Sequence, residues 1–231
     1  KTVAASDRRY LVGWLSSRAD DRDTGHRQWG GSLVAHTLHV RPDGSLGVAP
    51  VDGFFERFHL APAPVTPRQG TWSSAPDGTW ATTATPFSWA SVGDSVDGSA
   101  LDVTIDLDSS AAEFGIAIHA GDSFDHAYLL RIEPDRERVV FDRRPHPIGS
   151  PFDYSSDRAY VSAPDHEIER PLVAADGRLR IRVAVLGSAI VTYLNDVALT
   201  TRGYDLRDGM FAMYAADGHT RFIAPHYGCG K

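Results

Sequence analysis

The sequence predicts an all-β chain folded as an antiparallel β-sandwich. Three observations lead there. Several runs alternate apolar and polar residues with a period of two, as in ALDVTIDLD (100–108) and EFGIAIHAG (113–121). Gly, Pro, Asp and Asn separate the runs at short intervals. No segment carries a long 3.6-residue apolar period, so helix content should be low. At least seven short strands with this punctuation fit a sandwich.

Taken in order, RYLVGWL (9–15) reads as a short apolar strand, and SSRADDRDTGHRQ (16–28) as a polar loop. In HRQWGGSLVAHTLHVRPDGSLGV (26–48) an alternating run, an Asp43-Gly44 turn and a second run read as a hairpin. Residues 49–60 form a linker with one helical turn, on which Phe54, Phe55 and Phe58 share a face. The Pro-, Ser- and Gly-rich stretch 61–79 reads as a boundary or a long surface loop. Beyond residue 80 everything reads as β. Strands are expected at 100–108, 113–121, 126–135 and 136–144, then at 179–187 and 189–202 after a long loop at 145–177. The runs 209–218 and 219–226 close the chain. The apolar alternates, among them Val103, Ile105, Phe114, Ile116, Ile118, Leu130, Ile132, Ile181, Val183, Phe211 and Met213, are expected to fill the sandwich.

Composition sets limits. The 231 residues suffice for one large or two small domains. Thirty acidic against 23 basic residues give a net charge of -7, which argues against a nucleic-acid or anionic-membrane surface. No apolar run approaches the roughly 20 residues of a membrane span. The start, KTVAASDRRY, has no apolar leader and reads as a processed terminus or a fragment. The one cysteine, Cys229, can form no internal disulfide, and no cluster suggests a metal or cofactor. The compartment stays open between cytoplasmic and secreted.

Several groups could carry chemistry. Asp20, Asp21, Asp23 and His26 lack calcium-loop spacing and read as a solvated loop. His36 and His39, three apart on a strand, lie on opposite faces and cannot easily share a metal. The other histidines, including His119, His146 and His166, are scattered, and no Ser-His-Asp arrangement follows from spacing. Trp72 and Trp80 stand among small polar residues. They either stack on sugar rings or anchor the segment to the core.

Two stretches go beyond generic β: LVGWL…QWGGSLVAHTLHVRPDGSLGVAP, and DGRLRIRVAVLGSAIVTYLNDVALTTRGYD. Together they resemble the carboxyl-terminal part of glycoside hydrolase family 32, the β-fructosidases. In that family a five-bladed propeller ends in a W-x-x-G-G/A segment and leads into a sandwich with a V-E-V-F-x-N strand and a T-x-R-x-Y run. Here Ile190 to Asn195 and Thr201-Arg202-Gly203-Tyr204 take those places. Two positions depart from the pattern: His36-Thr37-Leu38 replaces Arg-Glu-Leu, and Thr192 replaces Glu.

The resemblance implies a sandwich of jelly-roll or concanavalin-like type, preceded by strands of a terminal propeller blade, with 1–60 the blade remnant and linker and 61–231 the sandwich. It implies an ancillary role that stabilises a catalytic propeller and contacts carbohydrate such as fructan or a sucrose-type sugar. The family's catalytic motifs W-x-N-D-P-N-G, R-D-P and E-C do not occur; the one Asn is Asn195 and Cys229 follows Gly228. The chain alone is therefore expected to be inactive, with the propeller as its missing partner, and a strand such as 10–15 is expected to expose an edge. Related sandwich modules hold fructose in a small charged pocket. Glu113, Arg131 and Asp142, with Arg143 beside them, are the candidates here, a surface salt-bridge cluster being the alternative. The rival functions are a free-standing fructan-binding module and a purely structural sandwich.

Overall fold

The computed structural model describes residues 1–5, 7–145 and 168–230. Strands β1 (Thr2–Ala5), β2 (Arg8–Arg18), β3 (Arg27–Val40) and β4 (Leu46–Pro50) form an antiparallel meander in chain order. The hairpin between β3 and β4 closes at Asp43-Gly44. Gly44 takes φ +83, and Asp43 Oδ1 accepts from Ser45 N at 2.9 Å. Strand β3 pairs with β2 on one side, and β1 covers the other side only over Arg8–Leu11, with Val12 N donating to Lys1 O, so of the edge expected at residues 10–15 the part beyond Val12 is paired on that side by no described strand. A face is open as well. Trp14 stands opposite Leu33 and Val12 opposite Ala35, and Leu33 is 80% exposed.

The remaining strands are β5 (Ala61–Pro62), β6 (Val65–Gln69), β7 (Thr71–Ser74), β8 (Trp80–Val92), β9 (Ser99–Asp106), β10 (Glu113–Ala120), β11 (Ala127–Glu133), β12 (Arg138–Arg144), β13 (Ile168–Pro171), β14 (Arg178–Leu186), β15 (Ala189–Leu194), β16 (Val197–Arg202) and β17 (Met210–Cys229). They build two layers. In the first, the order is β13-β12-β11-β10, then the first half of β17, the second half of β8, and β6. In the second it is β7, the first half of β8, the second half of β17, then β9-β14-β15-β16. Strands β8 and β17 serve both layers by bending at a register shift between Ala216 and Gly218, the way strands turn the corners of a sandwich. The runs expected at 209–218 and 219–226 are thus one bent strand. The stretch 61–79, read as a loop, holds three short strands. Most of the loop expected at 145–177 lies outside the described residues, as do His146 and His166, while strand β13 falls within that stretch and β14 begins just after it.

Alternation decides the core. Leu101, Val103 and Ile105 of β9, Phe114, Ile116 and Ile118 of β10, and Ile181, Val183 and Val185 of β14 point inward into one cluster between the layers. Each fully buried side chain of this kind is worth about 1.5–3 kcal/mol. On its outer face the second layer carries Ala100, Ala184, Val191 and Tyr193, and against them pack Phe55 and Phe58 from the 3-10 turn Phe55–Phe58, with Val34 of β3. The expected helical turn is therefore the wedge that seats the four-stranded sheet on the sandwich. The Arg182 guanidinium lies 5.0 Å from the Phe55 ring centre and 5.9 Å from that of Tyr193.

Candidate functional site

The outer face of the first layer carries a charged cluster. Because side chains alternate, Glu113, Arg131, Glu133, Asp142 and Arg144 all project there from β10, β11 and β12. Arg131 is the hub. Its Nη1 lies 3.5 Å from Asp142 Oδ2 and 3.9 Å from Glu113 Oε2, and its Nε lies 3.0 Å from Glu133 Oε1. Arg144 reaches Glu113 at 3.2 Å and Asp142 at 3.8 Å. Asp142 is fully buried and Arg131 is 7% exposed, while the Arg144 side chain is 48% exposed, so the cluster is an ion-pair network buried at its centre and open to solvent at Arg144. Burial alone would raise the Glu133 carboxyl. The hydrogen bond from Arg138 and the charges of Arg131, Arg138 and Arg136 outweigh it and hold the group below its usual range.

Aromatic rings adjoin the charges. Tyr214 pairs with Gly115 across one ladder and with Trp89 across the next, while Gly115 also stands opposite Arg131. With no side chain at Gly115, nothing on that strand separates Arg131 from Tyr214. Phe124 lies 5.6 Å from Tyr214 and 5.3 Å from Trp89, centre to centre, and 5.0 Å from Phe87. Burial, and then the charge of Glu113, push the Tyr214 phenol well above its usual range. Fixed guanidinium and carboxylate groups beside rings can grip hydroxyls while an apolar face packs against carbon.

The three charged residues expected from sequence are brought together; Arg143 is not among them. It points to the opposite side, where its Nη1 meets Asp205 at 2.7 Å and Asp23 at 3.2 Å. The period of two carried that information, since 142 and 144 share a face that 143 cannot. Glu133, Arg144 and Tyr214 were legible by the same rule. Trp72 and Trp80 lie on the other limb of bent β8 and its partner β7, half-buried against the sandwich core. The Trp72 ring is 5.9 Å from Phe222, and its Nε1 donates to Gln69 O at 3.0 Å. Among the described residues no group of three or more His, Cys, Asp and Glu is placed to hold a metal ion.

Residues 73–225 match the family described as glycosyl hydrolases family 32 C terminal. The chain belongs to this family. No curated protein matches it by sequence. Among solved structures, an exo-inulinase from Aspergillus awamori superposes with TM-score 0.64 at 15% identity, over 99% of this chain and 41% of that one. A sucrose-6-phosphate hydrolase from Lactobacillus gasseri gives 0.56 at 13% identity, over 97% and 39%. The carbohydrate-binding module CBM66 from Bacillus subtilis gives 0.52 at 11% identity, over 74% of this chain and 97% of the module. At these identities the likeness is one of fold. The chain spans about two fifths of the length of the two hydrolases.

The family 32 motif Thr201-Arg202-Gly203-Tyr204 has a visible role here: it clamps the two sheets together. Arg202 donates to Leu15 O at 3.3 Å, Ser16 O at 3.1 Å and Ser32 Oγ at 2.8 Å. Tyr204 Oη accepts from Arg18 N at 3.2 Å, and Tyr204 N donates to Asp23 Oδ1 at 2.7 Å. Asp23, expected in a solvated loop, is buried, and its Oδ2 also accepts from Tyr128 Oη at 2.6 Å. The composition of 20–26 hid this, because three neighbouring carboxylates look alike in sequence and only one turns inward. His36, at the family's Arg position, bonds Tyr193 Oη through Nδ1 at 2.8 Å. The departing residue thus joins β3 to β15 of the sandwich.

Proposed function

We propose that this chain is the ancillary carboxyl-terminal module of a family 32 hydrolase, without the catalytic carboxylates, and that its sandwich holds a fructose-type sugar at Glu113, Arg131 and Asp142. The observation that carries this reading is the buried Arg131, fixed among carboxylates on a face that is not the core. A buried charge cluster is costly to build for stability alone. Titration calorimetry with sucrose and 1-kestose tests it: Arg131→Met should weaken binding at this site at least about tenfold. Binding that Arg131→Met leaves intact would refute this site, and Trp72→Ala and Trp80→Ala report whether the other limb of β8 contributes.

The same reading makes residues 1–60 the terminal propeller blade with its linker, and the partner a catalytic propeller. Its support is the outward face of the four-stranded sheet, where Trp29 is 88% and Leu33 80% exposed and the Trp14 and Trp29 rings meet edge to face at 5.9 Å. A longer precursor seen by intact-mass analysis would agree. A soluble, monomeric 231-residue product as the whole gene product would favour the free-standing binding module instead.

A further inference from the structure

The ladders set Phe87 of β8, Ala216 of β17 and Glu113 of β10 side by side in one row. Phe87 packs with Trp89 and Tyr214, so this row points outward, on the face that carries Arg131. Neighbouring strands lie about 4.8 Å apart, which puts Phe87 and Glu113 roughly 10 Å from each other across Ala216. That leaves room for one sugar ring above the Ala216 methyl group. We infer that Phe87 is the apolar wall of the site at Arg131, on which the carbon face of a single furanose ring packs, and that Phe124 holds Phe87 in place. The wall rests on the reading of the Arg131 cluster as a sugar site, to which it adds the contact that recognises a ring.

Exposure divides along the two rows. In the next row Trp89 pairs with Tyr214, and both are buried. Phe87, Ala216 and Glu113 are each half-buried, so solvent reaches them. Glu113 Oε2 lies 3.2 Å from Arg144 and 3.9 Å from Arg131, which fixes the carboxylate before any ligand arrives. An accessible ring facing a fixed carboxylate and guanidinium across a small residue offers carbon contact on one side and hydroxyl contacts on the other.

Strain at Phe124 points the same way. The turn from β10 to β11 is closed by Phe124 N, which donates to Gly121 O at 2.9 Å, and by Gly121 N, which donates to His126 O at 3.0 Å. Phe124 takes φ +54, a left-handed position that hairpin loops of this kind give to glycine. For a bulky residue that backbone is unfavourable, and such strain persists where the side chain is needed. The Phe124 ring stands 5.0 Å from Phe87, centre to centre, nearer than Tyr214 at 6.2 Å. Trp89 and Tyr214 are fixed by burial; Phe87, which solvent reaches, is the ring that Phe124 restrains.

The test is titration calorimetry of the full chain with sucrose and 1-kestose, beside saturation-transfer NMR in which the aromatic protons of the protein are irradiated. In the wild type, saturation should pass to ring C–H protons of the bound fructosyl unit. Phe87→Leu keeps an apolar side chain and removes the flat face; it should bind about five- to tenfold more weakly. Phe87→Tyr should bind within about twofold of wild type. Phe124→Gly suits the backbone and removes the ring; it should weaken binding several-fold, and Phe124→Tyr should retain it. Urea midpoints show which variants are folded, and the wild-type NMR result stands whatever they show.

Arg131→Met separates the wall from the site beneath it. Loss in both Arg131→Met and Phe87→Leu, with retention in Phe87→Tyr, upholds the inference. Loss in Arg131→Met with unchanged affinity in Phe87→Leu overturns it and leaves the charged site standing. Saturable wild-type binding without transfer from aromatic protons overturns it equally. Binding that is absent from the wild type, or indifferent to Arg131→Met, refutes the charged site and the wall with it. Unchanged affinity in Phe124→Gly beside a loss in Phe87→Leu overturns the part given to Phe124.

Discussion

Asp23 is the residue on which the junction between the two sheets depends most. Its carboxylate accepts from Tyr128 Oη and Tyr204 N and lies 3.2 Å from Arg143 Nη1, all on the sandwich side. Removing it strands two buried donors and takes one of two carboxylates from Arg143, which keeps Asp205, so Asp23→Ala should cost about 3 kcal/mol, read by urea unfolding. A loss below about 1 kcal/mol would mean that the loop is not held by this group. His119 is one group through which acid should destabilise the chain. It is buried, its Nδ1 has no hydrogen-bond partner, and burial, then the charge of Arg207, push its pKa down from 6.5 to about 4. Asp97 and Asp208 oppose that shift without cancelling it. The folded pKa lies below the unfolded one, so the unfolded chain binds more protons in this window. Stability is therefore full above pH 6.5 and falls as the pH drops towards 4, by about 3 kcal/mol from this group. Its φ of +56 suits Asn. Between pH 7 and pH 4, His119→Asn should lose about 3 kcal/mol less than the wild type in urea unfolding; equal losses would exclude His119 as the source. Neither role was legible, because burial of a single polar residue leaves no mark on local sequence pattern.

At the scale of elements, strands with one face inward and one outward were legible. Residues 100–108 and 179–187 show it, since alternation is what a half-buried strand imposes, whereas 113–121 is buried on both faces and was legible because large apolar and small residues alternate along it. Strand β8 was not seen as one element. In WATTATPFSWASV the second half is buried on both faces and small residues replace the large apolar alternates. Strands β5 to β7 were hidden by Pro62, Pro67 and Gly70, which are tolerated because these are short peripheral pieces. The break read between 218 and 219 has a physical basis all the same: Asp217-Gly218 looks like a turn and is a corner within one strand. Gly218 takes φ +149, and a Cβ there would be driven into the Ser110 carbonyl oxygen. Gly218→Ala should therefore cost about 2 kcal/mol or more, since both strain and contact oppose it. An unchanged urea midpoint would show that the corner can relax elsewhere.

For the whole molecule, the two sheets are coupled through polar groups as much as apolar ones. Arg202, Asp23 and Asp196 reach across, and Phe55 and Phe58 wedge beneath. That explains why the candidate charged site could be named from sequence while the junction could not: the first lies on neighbouring strands of one layer, the second needs two distant segments docked face to face. Among the described residues none gives the opposite side of the four-stranded sheet such cover. Trp29 and Leu33 are among the most exposed large apolar side chains of the chain, and Trp14 lies in register with Leu33 on the same face. An aromatic face of this kind is unfavourable in water and is characteristic of an interface. If it is covered only by another polypeptide, its residues contribute little to the stability of the chain alone. Leu33→Lys with Trp29→Gln should then leave the urea midpoint within about 0.5 kcal/mol of wild type. The same double variant should abolish concentration-dependent self-association in sedimentation velocity. A wild-type chain that stays monomeric at every concentration, together with a clearly destabilised double variant, would instead make this face part of the chain's own packing and remove the argument for a propeller partner on it.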